Sequence, residues 1–194
     1  MITGLMTASE FSETKHAMPE GGRWHELHSG RPVLLESPND EHGAVVLNLS
    51  RALAEWFSEQ HAGFSGYAAH DVGLLVETGP DTILMPPISY FDEGDRFAQS
   101  DLIIATLVPQ LVVDIASSND RRQHMRQRTL LFLKHGVEHT WIPDPFKREV
   151  QILKRGTPTL ALGEHQTLTG GSVLPGFELG VSDLFAQPSW WKDK

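Results

Sequence analysis

Leu111-Val112-Val113-Asp114-Ile115-Ala116-Ser117-Ser118 decides how this chain is read. Three aliphatic residues in a row, two of them β-branched, suit a core strand. Asp114 then interrupts the apolar run just before Ile115-Ala116. A carboxylate in an apolar strand is costly unless it is paired, protonated, bound to a metal or placed at the strand's open end. Two readings stand side by side: an end-of-strand Asp acting as a local cap, and an oxygen ligand of a divalent cation. Ser118 or Asn119 caps the helix that follows. Its apolar marks are Met125, Leu130, Leu131 and Leu133 with Phe132 beside them, and Gly136 ends it.

Working outward, Thr140-Trp141-Ile142 is a strand stopped by Pro143-Asp144-Pro145, and residues 148–153 alternate as its hairpin partner. Upstream, Thr82-Ile83-Leu84-Met85 ends at Pro86-Pro87, and Ile88-Ser89-Tyr90-Phe91 continues. Adjacent prolines cannot donate ladder hydrogen bonds, so this strand is interrupted or lies at an edge. Val72 to Val76 is another strand, and residues 92–101 form a polar loop. Residues 41–59 place Val45, Leu49, Ala52, Leu53 and Trp56 at helical spacing, with Gly63 and Gly66 closing the segment. Nearer the start, Trp24-His25-Glu26-Leu27 followed by Gly30 reads as a strand and turn, and Pro32 to Leu35 resumes it. Thr7 with Glu10 three residues later forms a capping box for a short helix. The order of elements defines a mixed α/β or α+β fold with a helix covering a twisted sheet. No repeat or long linker divides the chain, so residues 1–194 read as one domain.

Composition bounds the chemistry. The 194 residues hold 16 Lys plus Arg against 25 Asp plus Glu, a net charge of -9, and no cysteine. Cys-ligated metal sites, disulfides and thiol catalysis are excluded. No apolar run approaches a membrane span, and the first 20 residues do not read as a secretory signal, so a cytoplasmic protein is expected. The charge is uneven. Residues 121–155 carry nine basic and three acidic groups, net +6, which leaves -15 for the remainder. That segment reads either as a solvated surface or as a phosphate-facing strip for DNA or another nucleic acid.

Candidate site residues are few. Glu26 could join Asp114 as a second carboxylate from an earlier strand. His42 begins the long helix and could contact phosphate or a site carboxylate. Arg128 follows Asp114 on the next helix and could bind phosphate, although its high pKa makes it a poor base. His124 sits one turn earlier and could transfer a proton. For each, a surface role is the alternative. His135 and His139 lack convincing zinc spacing, and no HExxH run, G-x-S-x-G elbow, phosphate-binding loop or dinucleotide fingerprint is present, so no organic cofactor is expected.

Taken together, the segments at 24–30, 41–42, 111–118, 136–145 and Leu174-Pro175-Gly176-Phe177 resemble the Uma-type family of putative restriction endonucleases. The resemblance runs over about residues 7–185. It implies a PD-(D/E)XK nuclease-like fold, with a restriction-endonuclease-like mixed central sheet flanked by helices. It also implies a metal-dependent phosphodiester hydrolase using Mg²⁺ or Mn²⁺. In that arrangement Glu26 and Asp114 are the metal ligands, Arg128 and His42 or His124 assist, and a homodimer is permitted.

Two departures from the family pattern bear on activity. Pro87 stands where an acidic residue is common, and Arg128 stands where Lys is common. A carboxylate from Asp92, Asp95 or Asp101 would have to fold in to replace the missing ligand. The resemblance therefore supports two functions: a metal-dependent endonuclease, or a nuclease-fold module that binds nucleic acid or protein without catalysis. The terminal Trp190-Trp191 pair either packs the chain end or covers a partner surface.

Overall fold

The computed structural model describes residues 4–60 and 64–191. Gly63, expected to help close the long helix, lies outside the described residues. Helix α1 (Ala8–Thr14) begins with the expected capping box: Thr7 accepts from the Glu10 N–H, and the Glu10 side chain returns to the Thr7 N–H. Strands β1 (His25–His28) and β2 (Arg31–Leu34) form a hairpin closed by Ser29-Gly30. Both turn residues have positive φ, 48° and 74°. That is the handedness that matches the twist of the flanking strands, and glycine adopts it without strain.

Helix α2 (Asp40–Ser58) is capped by Asn39. Strands β3 (Tyr67–His70), β4 (Leu74–Glu77), β5 (Thr82–Leu84), β6 (Ile88–Phe91) and β7 (Leu111–Val113) follow. Helix α3 (Asn119–His135) starts at Ser118, whose hydroxyl accepts from the Arg121 N–H, and stops at Gly136. Then come β8 (His139–Asp144), β9 (Glu149–Lys154), β10 (Leu160–Gly163), β11 (Thr167–Thr169), β12 (Glu178–Gly180) and the short α4 (Val181–Leu184).

The strands form a six-stranded mixed sheet in the order β10-β9-β8-β7-β6-β3, a four-stranded antiparallel sheet β2-β1-β5-β4, and the pair β11-β12. Within the large sheet only β7 and β8 run parallel, and α3 is their crossover. Leu111 and Val113 join the α2 residues Val45, Leu49, Leu53 and Trp56 in one core cluster. Val112, on the other face, joins Phe132 of α3 with Leu74, Val76 and Leu84 of the small sheet. β7 is thus buried on both faces, as its unbroken aliphatic run requires. Helix α3 lies between the two sheets, and this placement lets one side chain of α3 reach strands of both.

One sequence alternative is decided and two expectations change. Pro86-Pro87 does interrupt the strand, because β5 belongs to the small sheet and β6 to the large one, yet β6 is interior, between β3 and β7. Pro143 does not stop β8, which runs through Asp144. Its carbonyl accepts from Ala116 N at 2.9 Å. The inward face of α3 is also different: Arg121, Met125, Arg128, Thr129 and Phe132 are buried, while Leu130 is 57% exposed.

Candidate functional site

The site is assembled from three elements that are far apart in sequence. On β1, Glu26 and His28 share one face because they are two residues apart, while Leu27 turns into the core beside Phe11 and Ile83. Asp114 sits just past the end of β7, on the face of the sheet that α3 covers. Arg128 reaches from α3 toward both. Glu26, Asp114 and Arg128 are all buried.

Arg128 joins the two carboxylates. Its Nη1 and Nη2 donate to Glu26 Oε2 and Oε1 at 2.6 and 2.9 Å, and its Nε donates to Asp114 Oδ2 at 2.6 Å. The planar guanidinium suits this, because its fork matches one carboxylate while a second edge meets the other. Glu26 also accepts from the Met85 N–H at 2.7 Å and pairs with His28 Nε2 at 2.8 Å. Burial alone would push the Glu26 carboxyl up. The Arg128 charge and the hydrogen bonds from His28, Arg128 and Met85 outweigh it and hold the group at about 2. For Arg128, burial works against the charged form, and the two carboxylates overcome it and raise the pKa.

A second cation stands close by. Lys15 is buried and donates to the Gly22 carbonyl at 2.5 Å. Burial lowers its pKa, and the charges of Asp71 and Glu26 act in the opposite sense. The sequence held a signal for His28, which strand alternation places beside Glu26. It held none for Lys15, which reaches the region from a single 3₁₀ turn, Lys15–Ala17.

His42 lies on the far side of the same region. It is buried, and its Nδ1 is 3.1 Å from Ser117 Oγ. Burial, followed by the charge of Arg121, pushes its pKa down to about 4, so the ring is neutral near pH 7. The hollow lined by Glu26, His42, Met85, Pro87 and Arg121 encloses about 20 Å³. That is room for roughly one water molecule. His124 is not brought to the site: its side chain is exposed, and Nδ1 lies 2.9 Å from the Asp120 carbonyl of its own helix.

The expected metal ligands meet, but a divalent cation does not fit them. Mg²⁺ takes about six oxygens in octahedral array, usually one or two carboxylates with waters and substrate oxygens completing the set. Here both oxygens of Glu26 and one of Asp114 already accept from Arg128. The pairing of β6 with β7 ends at Ile88–Val113, and Pro87 and Asp114 are the next residue of each chain segment beyond it. Pro87 has no side-chain oxygen to offer a cation there. Asp92, Asp95 and Asp101 are exposed in their loop, and no cluster of metal-ligating side chains forms among the described residues. Asp114 Oδ1 is buried without a hydrogen-bond partner among them.

The basic segment is largely neutralised within the protein. Arg122, Arg128, Lys134, Lys147 and Arg148 each pair with a carboxylate. Arg121 and Arg155 donate to backbone carbonyls. Arg126 and Lys154 have no hydrogen-bonding or ion-pair partner among the described residues. No helix among the described residues is long and apolar enough to cross a membrane.

A mixed sheet with helices packed on it makes this an α/β fold, and a solved structure shares that fold. It is described as a "putative nuclease belonging to DUF820 from Anabaena variabilis ATCC 29413". Its TM-score is 0.73 at 20% identity, over 93% of this chain and 97% of that one. The chain itself belongs to the Uma2 family, described as "Putative restriction endonuclease", which it matches over residues 11–182. No curated protein matches it.

Proposed function

We propose that this protein is a nuclease-fold module that does not cleave phosphodiesters, with the Arg128 guanidinium standing where the metal of an active centre would lie. The observation that carries this reading is the bridge itself: one buried cation already joins Glu26 and Asp114. Pro87 in place of an acidic residue and the single-water hollow support it. Nucleic acid is the ligand to which the family points. With most of the basic segment paired, binding would rest on a few phosphate contacts centred on Arg126 and Lys154.

The test combines cleavage and binding on purified full-length protein. Labelled duplex DNA, single-stranded DNA and RNA are incubated with Mg²⁺ or Mn²⁺, and binding is measured across salt concentrations. The expected result is no cleavage above background. For about two phosphate contacts, the logarithm of the binding constant falls against that of salt with a slope of roughly -2. Metal-dependent cleavage that disappears in Asp114→Asn would overturn the proposal and restore the endonuclease reading. A slope of roughly -6 or steeper would overturn the sparse-contact part.

A further inference from the structure

A cavity of about 440 Å³ opens on the other side of α3, away from Glu26 and His42. It exists because α3 covers β7 and β8 but leaves the same face of β9 and β10 bare. The register puts Gln151 beside Ile142 and Leu153 beside Thr140 on that face, and Ala161 beside Gln151. Thr159 and Ala161 are exposed there. The cavity floor is apolar: Ala116, Met125 and Ile142 form a small buried cluster of their own, with Leu153 packed against it. This cluster is separate from the two larger cores that α2 and Phe132 organise.

The rim is cationic. Arg122, Arg126 and Lys147 line the cavity with Asp144 as the only carboxylate, a lining charge of +2. Asp144 is fully engaged. It accepts from Arg122 Nε at 3.1 and 3.2 Å and from the N–H groups of Phe146 and Lys147 at 3.1 and 3.2 Å. Arg122 donates a further bond to Asn119 at 3.0 Å. Lys147 reaches only Glu149, at 3.5 Å. Arg126 has no acidic partner among the described residues. Cation at the rim and hydrocarbon at the floor select a ligand that is anionic at one end and apolar at the other. The volume lies within the range of sites for small organic molecules.

We propose that this cavity binds a small organic anion with an apolar body, of the aryl or branched-alkyl carboxylate class. Met125, Ile142 and Leu153 would take the body, and Arg126 and Lys147 the carboxylate. This goes beyond the reading of the Arg128 centre; Arg126 is shared with the phosphate contacts proposed above, and the naphthoate readout at Met125, Ile142 and Leu153 tests this cavity whether or not nucleic acid binds.

The probes are 2-naphthoate and its neutral analogue 2-naphthalenemethanol, titrated into full-length protein. The readout is the methyl NMR signals of Met125, Ile142 and Leu153. The expected result is a saturable shift of these signals by naphthoate, with affinity at least about tenfold tighter than for the alcohol, a difference of about 1.4 kcal/mol. Arg126→Gln/Lys147→Gln should remove that preference. Both side chains are exposed, so an unchanged unliganded spectrum is expected and confirms the fold. Equal affinity for the two probes, a preference that survives the double substitution, or no saturable shift would each overturn the proposal.

Discussion

Arg128 donates to Asp114 Oδ2 from Nε at 2.6 Å, and the rest of the same guanidinium holds Glu26. One side chain on α3 thereby ties the large sheet to the small one. A buried ion pair is weak evidence for stability, because desolvation offsets much of the attraction. Removing one partner is different, since it strands the other charge.

Arg128→Met should therefore destabilise the protein by about 3–5 kcal/mol in urea unfolding. The triple variant Glu26→Gln/Asp114→Asn/Arg128→Met should recover more than half of that loss, because no charge is left uncompensated. Arg128→Lys should fall between Arg128→Met and the parent, since one ammonium cannot reproduce three donors fixed along two edges of a plane. A triple variant no more stable than Arg128→Met would show that packing, not charge, sets the cost.

Adding an acidic residue near Asp114 should create a cation site. Pro87→Asp combined with Arg128→Lys supplies a second carboxylate at the β6–β7 end that holds Asp114 and frees the Asp114 oxygens from the guanidinium. Mn²⁺ binding followed by electron paramagnetic resonance should appear in the double variant and be absent from the parent and from Arg128→Lys alone. Equal binding by all three would place the ion elsewhere.

His42 should make the fold acid-sensitive. Its folded pKa is lowered from 6.5 to about 4, so the unfolded chain binds the proton more readily than the folded one. Stability is then complete above the unfolded value and falls as pH drops from about 6.5 toward 4, by up to about 3 kcal/mol. Glu26, lowered from 4.5 to about 2, adds a further loss in the window below. Urea midpoints measured from pH 7 to 4 should decline in the parent and change less in His42→Gln. Parallel curves would assign the acid sensitivity to other groups.

The inward face of α3 can be tested without touching the ion pair. Phe132 is fully buried and Leu130 is 57% exposed. Phe132→Ala should cost about 3–5 kcal/mol, and Leu130→Gln should stay within about 0.5 kcal/mol of the parent. Comparable losses at both positions would mean the helix is rotated from the orientation described.

Local chemistry was legible in the sequence wherever neighbours in the chain carry the physics. The Thr7–Glu10 capping box, the Ser118 cap, the stop at Gly136 and the β8–β9 hairpin all depend on groups a few residues apart, and all are present. The aliphatic run of β7 likewise announced a strand buried on both sides. Four weak signals stayed unread: β3, β10, β11 and β12 are short, and their partners are set by tertiary position.

What only the tertiary structure decided is the state of Arg128. Helical spacing in α3 predicts a leucine-lined inner face, yet two arginines point inward while Leu130 faces out. An arginine can be buried only where carboxylates meet it, and those come from positions 102 and 14 residues away. The sequence by itself determined the family-like order of elements, the acidic residue at the end of β7 and a proline, with no side-chain oxygen, at position 87. Folding decided that Glu26 and Asp114 share an internal cation, because only the packing of α3 between two sheets brings that guanidinium within hydrogen-bonding distance of both carboxylates.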